Sequence, residues 1–191
     1  MALASEKKFP DVDPFLLKKW ERSFCKFFDL NADKVLEWSD FSVVLRHVRD
    51  IYGAQSEQTV FAKQQMTALW EGLQKFADKN NNKKIEFEEW VTVLKKANPQ
   101  NQPQWMKDYC HFLFKLFDVS ADDVLDLAEY TDGMASFGYT EKEAHEAFKK
   151  FAVEAGKPVT KITEDQFTKL WIEYFYSKDK NAKGNNLFGV L

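Results

Sequence analysis

The stretch FFDLNADKVLEWSDF, residues 27–41, decides the fold of this chain because oxygen-bearing side chains recur in it at a fixed spacing. A twelve-residue loop that supplies oxygen atoms from its positions 1, 3, 5, 7, 9 and 12 can enclose a hard cation such as Ca²⁺. Position 7 contributes its backbone carbonyl oxygen, so its side chain is unrestricted. In the first loop these positions are Asp29, Asn31, Asp33, Val35, Glu37 and Asp40.

The same pattern occurs twice more, in FADKNNNKKIEFEEW (76–90) and LFDVSADDVLDLAEY (116–130). The second loop offers Asp78, Asn80, Asn82, Lys84, Glu86 and Glu89, with Lys84 contributing its carbonyl. The third loop offers Asp118, Ser120, Asp122, Val124, Asp126 and Glu129, with Val124 contributing its carbonyl. The eighth position is apolar each time: Leu36, Ile85 or Leu125. The alignment of these three segments predicts three helix–loop–helix units, each with a site for a cation.

A fourth unit has lost its oxygen donors. Ile162 and Phe167 repeat the five-residue gap between Leu36 and Phe41, and Phe151 repeats an apolar residue of the entering helix. The loop between them is two residues too long, and it offers Ala155, Lys157 and Val159 where oxygen donors are needed. Because the eighth positions of two loops pair with each other, we expect an even number of units, with a degenerate fourth.

Between the loops, apolar residues recur at three- and four-residue spacing, which is typical of amphipathic helices. Leu69, Leu73 and Phe76 are one example. The polar stretch PQNQP, residues 99–103, reads as a linker. The sequence therefore predicts an all-α protein of two paired lobes, residues 12–98 and 104–176.

Composition narrows the class of protein. The 191 residues are 45% hydrophobic with a net charge of −3, which gives no indication of nucleic-acid binding. No apolar run is long enough for a transmembrane helix, and the first residues lack the apolar core of a signal peptide. Cys25 and Cys110 lie in apolar helical patterns, so we expect buried thiols. A cytoplasmic location is the expectation.

The three loops have the pattern of the EF-hand, and the chain as a whole resembles the invertebrate sarcoplasmic calcium-binding proteins, including their calexcitin-like members. The ending LWIEYFYSKDKNAKGNNLFGVL (170–191) and the Asp at loop position 12, Asp40, are both similar to the calexcitin-like members. The resemblance implies a compact monomer that buffers or senses Ca²⁺. It also implies that the tail, residues 177–191, packs between the lobes, since an exposed apolar ending is unfavourable.

The chain departs from the EF-hand pattern at loop position 6, where glycine is expected. Lys34, Lys83 and Asp123 occupy that position, and all seven glycines lie outside the three loops. A left-handed backbone costs a residue with a Cβ about 1–2 kcal/mol. At about 1.4 kcal/mol for each tenfold, this cost predicts that the affinity of each site is lower roughly 5- to 30-fold. Weakened rather than abolished binding is the expectation.

The loops differ in predicted strength. The third is expected to be strongest because Asp123 tolerates the left-handed backbone and Glu129 can bind through both oxygens. The second is expected to be weakest, since three cations oppose a divalent ion: Lys79, Lys83 and Lys84. The first ends in the shorter Asp40, which favours six-coordination and predicts a mixed Ca²⁺/Mg²⁺ site.

Two alternatives remain open at this point. The loops could be metal-free relics in a module that binds a protein partner or a small apolar ligand, as in aequorin-like photoproteins. The ligand would lie among Trp38, Trp70, Trp90, Trp105 and Trp171. Juvenile hormone diol kinase resembles the same group, but the chain lacks the GxxxxGK[ST], GxGxxG and GxSxG motifs, so we do not expect an enzyme. The scattered His47, His111 and His145 do not predict a zinc site.

Overall fold

The computed structural model describes residues 7–191. Helices flank each of the loops that the repeats predict. They are α1 (Pro14–Ser23), α2 (Trp38–Tyr52), α3 (Glu57–Ala77), α4 (Phe87–Lys96), α5 (Gln104–Phe117), α6 (Leu127–Ala135), α7 (Glu141–Phe151) and α8 (Glu164–Tyr176). A π-helical turn, Phe24–Phe28, continues α1 to the first loop, and a 3₁₀ turn, Lys183–Asn186, lies in the tail. Within residues 7–191, no helix is both long and apolar enough to cross a bilayer.

Local chemistry starts several of these helices. The Asp13 carboxylate accepts hydrogen bonds from Phe15 N (2.9 Å) and Leu16 N (3.3 Å), and Pro14 occupies the first helical position. Thr140 and Glu143 form a reciprocal capping box at the start of α7. Such caps satisfy amide groups that have no partner inside the helix.

Short antiparallel strands join the loops in pairs. They are β1 (Val35–Leu36), β2 (Ile85–Glu86), β3 (Val124–Asp126), β4 (Val153–Glu154), β5 (Lys157–Pro158) and β6 (Lys161–Thr163). Leu36 pairs with Ile85 and Leu125 pairs with Ile162, and all four side chains are buried. The position-8 pairing is therefore as the repeats predict. With strands of only two or three residues, the predicted all-α class is confirmed.

The fourth loop uses its extra length to form a hairpin. Strand β4 pairs with β5 through Val153–Pro158 and Glu154–Lys157. The turn between them contains Ala155 at φ 47° and Gly156 at φ 78°. This hairpin replaces the ligand positions of a cation loop while leaving Ile162 free to pair with Leu125.

Aromatic residues fill the core and connect both halves of the chain. Phe27, in the π-helical turn, stacks on Phe137 and on Phe188 with ring centroids 4.2 Å apart in both pairs. Phe61 of α3 contacts Phe112 of α5 at 5.5 Å. One prediction is wrong: Phe76 was expected on the apolar face of α3 but is 47% exposed. Both cysteines are free thiols, and Cys110 is buried, whereas Cys25 is only partly buried.

The tail folds back onto the helices. Leu187 and Phe188 are buried, and the Tyr130 hydroxyl donates to the Leu187 carbonyl at 2.7 Å. Gly184 allows this close approach, because a Cβ there would lie 2.2 Å from the Leu170 carbonyl oxygen. Residues from both sides of the 99–103 stretch therefore contact the tail, while the division of the chain into two lobes stays a prediction.

A fully buried lysine fixes the first helix to the tail. The Lys19 ammonium donates to the carbonyls of Glu173 (3.0 Å) and Ser177 (2.7 Å) and to Asn185 Oδ1 (3.0 Å). Burial lowers the pKa of Lys19 to about 8, against an opposing effect of nearby carboxylates. The two carbonyls belong to the last turn of α8 and to the residue that follows it, where a cation is favourably placed.

Candidate functional site

The first loop is organised around its two end carboxylates. Asp29 accepts hydrogen bonds from Asp33 N (3.1 Å) and Lys34 N (2.9 Å). Asp40 accepts from Asn31 N (3.2 Å) and Glu37 N (2.8 Å). Both carboxylates are buried, and burial raises the pKa of each. Backbone amides of the loop thus fix the positions of both end carboxylates.

The second and third loops repeat this network. Asp78 accepts from the amides of Asn82 (3.1 Å) and Lys83 (2.9 Å). Asp118 accepts from those of Asp122 (3.1 Å) and Asp123 (3.2 Å). The first carboxylate thus has the same role in all three loops, which explains why the alignment recovers it.

The residue at position 12 also caps the helix that leaves each loop. Glu129 accepts from Ser120 N (3.0 Å) and, at the start of α6, from Asp126 N (3.2 Å). Glu89 accepts from Lys79 N (3.0 Å) and, at the start of α4, from Glu86 N (3.1 Å). Asp40 makes the same two kinds of bond in the first loop, so the shorter side chain still connects the start of the loop to the helix that leaves it.

The third loop brings three carboxylates together most closely. Oxygen atoms of Asp118, Asp122 and Glu129 lie within 4.8 Å of one another. Asp126 instead uses an oxygen to cap α6, accepting from Ala128 N at 2.9 Å. Three converging hard oxygens are the donor set that Ca²⁺ and Mg²⁺ require, so the residues present fit such an ion.

The backbone of every loop is left-handed at two positions. At position 6, φ is 71° for Lys34, 60° for Lys83 and 61° for Asp123. Position 4 is left-handed too, and sequence reasoning missed this feature: its residues are Ala32, Asn81 and Ala121. Only Asn81 could have signalled it, because asparagine tolerates this conformation better than most residues.

Lysine side chains contact the candidate ligands. Lys84 Nζ lies 2.6 Å from Glu37 in the partner loop, and Lys161 Nζ lies 2.7 Å from Asp122. Lys115 Nζ lies 2.6 Å from Asp123. Sequence reasoning placed Lys84 against its own loop and missed Lys161, because both contacts depend on how the loops pair. It also missed Lys115, which lies on the helix that enters its own loop.

The tryptophans do not share one environment. Trp38 is 37% exposed, whereas Trp90, Trp105 and Trp171 are buried. Within residues 7–191, the indole N–H groups of these three find no hydrogen-bond acceptor. Trp105 also lines a groove of about 310 Å³ between α3 and α5, together with the aromatic Tyr109 and Phe112 and the polar Gln104 and Asp108.

Paired helix–loop–helix units, joined through position 8 and carrying ladders of oxygen donors, define an EF-hand protein. Its fold is similar to that of an amphioxus sarcoplasmic calcium-binding protein, with a TM-score of 0.74 at 20% identity, covering 94% of this chain and 100% of that one. It is also similar to the coelenterazine-binding protein of Renilla muelleri, with a TM-score of 0.65 at 17% identity over 93% of this chain and 96% of that one.

The sequence is 50% identical to Calexcitin-1 of Caenorhabditis elegans over 186 residues, which cover 97% of this chain and 91% of that protein. A scan against models of known protein families finds no match. The chain therefore belongs to the calexcitin group of EF-hand proteins. Further relatives are named sarcoplasmic calcium-binding proteins, from Branchiostoma lanceolatum (25% identical over 66% of this chain) and Penaeus (24% identical over 86% of this chain), and these names agree with the non-enzymatic prediction.

Proposed function

We propose that this protein binds Ca²⁺ reversibly through its first three loops. The observation that carries the proposal is the convergence of Asp118, Asp122 and Glu129 oxygens within 4.8 Å in the third loop. The C. elegans relative is named Calexcitin-1, and other relatives are named sarcoplasmic calcium-binding proteins. The proposed ligands are the eighteen loop residues identified from the sequence, six in each loop.

The proposed order of affinity is third, first, second. The third and first loops each have four carboxylates at ligand positions, and in the third the position-12 carboxylate belongs to a glutamate, which can bind through both oxygens. The second has neutral Asn80 and Asn82, and exposed Lys79 and Lys83 raise the local positive charge. Because each added carboxylate increases attraction for a divalent ion, the charge count places the second loop, with three carboxylates, last, and the position-12 glutamate places the third loop ahead of the first.

The first loop is proposed to accept Mg²⁺ as well as Ca²⁺. Asp40 is one methylene shorter than glutamate, and amides of Asn31 and Glu37 already hold both its oxygens. Binding through a single oxygen gives the six-coordinate geometry that Mg²⁺ requires. Since burial raises the pKa of Asp29 and Asp40, protons compete for this site, and its affinity decreases as the solution becomes more acidic.

Calorimetric titration of the whole chain with Ca²⁺ and then Mg²⁺, after chelator treatment, tests the proposal. Dissociation constants tighter than roughly 10 μM would place the protein among calcium buffers and sensors. Replacement of Glu129 by Gln should remove the tightest step. An absence of binding at millimolar Ca²⁺ would contradict the proposal and favour a metal-free module.

Buffering is proposed ahead of sensing, in the cytoplasm and as a monomer. A sensor exposes an apolar groove for a target, but here Leu187 and Phe188 cover the core and are themselves buried. Removal of residues 185–191 should expose apolar surface and increase the fluorescence of a dye such as ANS. If the intact chain instead binds the dye only with Ca²⁺, the protein is a sensor whose tail is released.

A second candidate function is the binding of a small apolar ligand. Its support is the set of buried indole N–H groups without acceptors, since a buried donor without a partner is costly and a ligand oxygen would satisfy it. The groove lined by Trp105, Tyr109 and Phe112, about 310 Å³, is at the small end of ligand sites. Coelenterazine added to the metal-free chain should raise the melting temperature; no change, together with unchanged tryptophan fluorescence, would contradict this function.

A further inference from the structure

Two lysines at the same loop position contact candidate ligands across the paired loops, Lys84 at position 9 of its partner loop and Lys161 at position 5. Lys161 of the fourth unit lies 2.7 Å from Asp122 of the third loop. Lys84 of the second loop lies 2.6 Å from Glu37 of the first. In both pairs the lysine directly precedes the buried position-8 residue, Ile162 or Ile85.

The strand register explains the repetition. Lys161 pairs directly with Asp126 on the adjacent strand, and one residue further along Leu125 pairs with Ile162. A side chain that neighbours the position-8 residue therefore stands over the partner loop, next to its acidic positions. Its long stem lets the Lys161 ammonium pass Asp126 and reach Asp122 on the same side of the loop.

The contact with Asp122 uses a carboxylate of the candidate ion site. Asp122 Oδ1 accepts the amide of Val124 at 3.3 Å, so Oδ2 is the atom directed away from its own backbone. Lys161 donates to that Oδ2. The ammonium and a divalent ion would therefore compete for one carboxylate, which is also part of the closest carboxylate cluster.

We propose that Lys161 is a tethered counter-ion that sets the affinity of the third loop, with Lys84 in the same role at the first. This inference rests on the proposed function of the loops. Without a metal, each lysine offsets repulsion among the loop carboxylates; with a metal, each must leave or share its carboxylate. Affinity is thereby lowered from outside the loop, by its pairing partner.

The two effects of removing Lys161 have opposite signs. Lys161→Gln should tighten Ca²⁺ binding at the third loop roughly two- to fivefold, the range expected for an exposed ion pair. It should also make the metal-free protein easier to unfold, because the loop carboxylates lose their counter-charge. Both differences should decrease at high potassium chloride, which screens exposed charges. A merely structural lysine would instead weaken both binding and stability.

The test compares wild type, Lys161→Gln and Lys161→Arg in the whole chain, by Ca²⁺ calorimetry and by urea unfolding in chelator. The charge-retaining arginine variant should behave like wild type. Lys149→Gln is the matched control, because Lys149 is exposed and makes no ion pair among residues 7–191. To isolate the third site, Glu89→Gln and Asp40→Asn can be added to every variant.

The outcomes separate this inference from the proposed function. If wild type binds no Ca²⁺, the proposed function fails. If wild type binds Ca²⁺ but Lys161→Gln binds it equally or more weakly than Lys149→Gln does, the proposed function stands and the tethered counter-ion is excluded. Repetition with Lys84→Gln asks whether the first loop follows the same rule.

Discussion

The third and fourth loops have the same structural framework, but only the third has a set of candidate metal ligands. Leu125 and Ile162 pair across the two loops, and both are buried. Position 12 also keeps its capping bond in both: Asp126 N donates to Glu129 in the third, and Thr163 N donates to Gln166 Oε1 at 2.8 Å in the fourth. The fourth loop has neither the ladder of carboxylates nor the twelve-residue length.

This difference separates what the fold requires from what a cation requires. Capping needs one acceptor oxygen, which an uncharged glutamine provides as well as a glutamate does. An ion needs several converging oxygens with negative charge. A unit can therefore lose its site and remain as the structural partner of a unit that keeps one.

The largest expected effect comes from breaking the shared framework. Leu125→Ala and Ile162→Ala should each lower the free energy of unfolding by about 2–5 kcal/mol, because each deletes a fully buried aliphatic side chain. Urea unfolding in chelator measures both. Equal losses on the two sides would show that the degenerate fourth unit carries as much of the fold as the third. A small loss for Ile162→Ala alone would contradict that view.

The next effect concerns the connection between the first helix and the end of α8. Lys19→Met should cost about 2–4 kcal/mol, because three buried acceptors lose their shared donor. Burial lowers the pKa of Lys19 to about 8, and this shift determines whether stability rises or falls with pH. Above pH 8 the folded protein releases this proton while the unfolded chain still holds it, so stability rises with pH up to the pKa of the unfolded chain.

The stability difference between wild type and Lys19→Met should therefore increase between pH 7 and pH 9.5, and thermal melts across that range measure it. Lys18→Met is the matched control, since Lys18 neighbours Lys19 but is exposed. A difference that stays constant with pH would mean that Lys19 is not deprotonated in the folded protein.

An intermediate effect distinguishes capping from ion binding within one loop. Glu129→Gln gives the third loop the position-12 residue of the fourth. It should weaken Ca²⁺ binding by at least about tenfold, since one bidentate carboxylate is lost, which corresponds to about 1.4 kcal/mol. The metal-free stability should change by about 1 kcal/mol, because the single amide oxygen of glutamine can keep the capping bond from Asp126 N but not also the bond from Ser120 N. Gln166→Glu is the converse variant, and it should create no new site, because the fourth loop remains too long.

The sequence predicts the repeated parts of this molecule well and the contacts between repeats poorly. Spacing alone identifies Leu36, Ile85 and Leu125 as pairing residues, because burial at position 8 is required in every unit. Exposure of Phe76 could not be predicted, since helix periodicity does not say which neighbour covers a given turn. The contacts of Lys19 and Lys161 were missed for the same reason, because each joins residues that are far apart in the chain or in different loops.

The smallest expected effect concerns loop position 6. It shows whether the backbone strain at this position lowers the stability of the metal-free protein or the affinity for Ca²⁺. Lys34 has φ 71° in the folded chain, and we expect the fold to impose this left-handed backbone whether or not an ion is bound. Lys34→Gly should then raise the free energy of unfolding in chelator by up to about 1 kcal/mol, the strain relieved less the extra freedom of glycine in the unfolded chain. Asp123→Gly should raise the free energy of unfolding by less. Aspartate tolerates this conformation, and the substitution also removes the ion pair between Asp123 and Lys115. The fourth loop has a glycine in its own left-handed turn, Gly156 at φ 78°, and Gly156→Ala should lower stability by a similar amount. Urea unfolding in chelator measures the strain in the metal-free protein, and Ca²⁺ calorimetry measures its effect on ion binding. A tighter first site with unchanged metal-free stability would show that this loop adopts its left-handed backbone only when an ion binds.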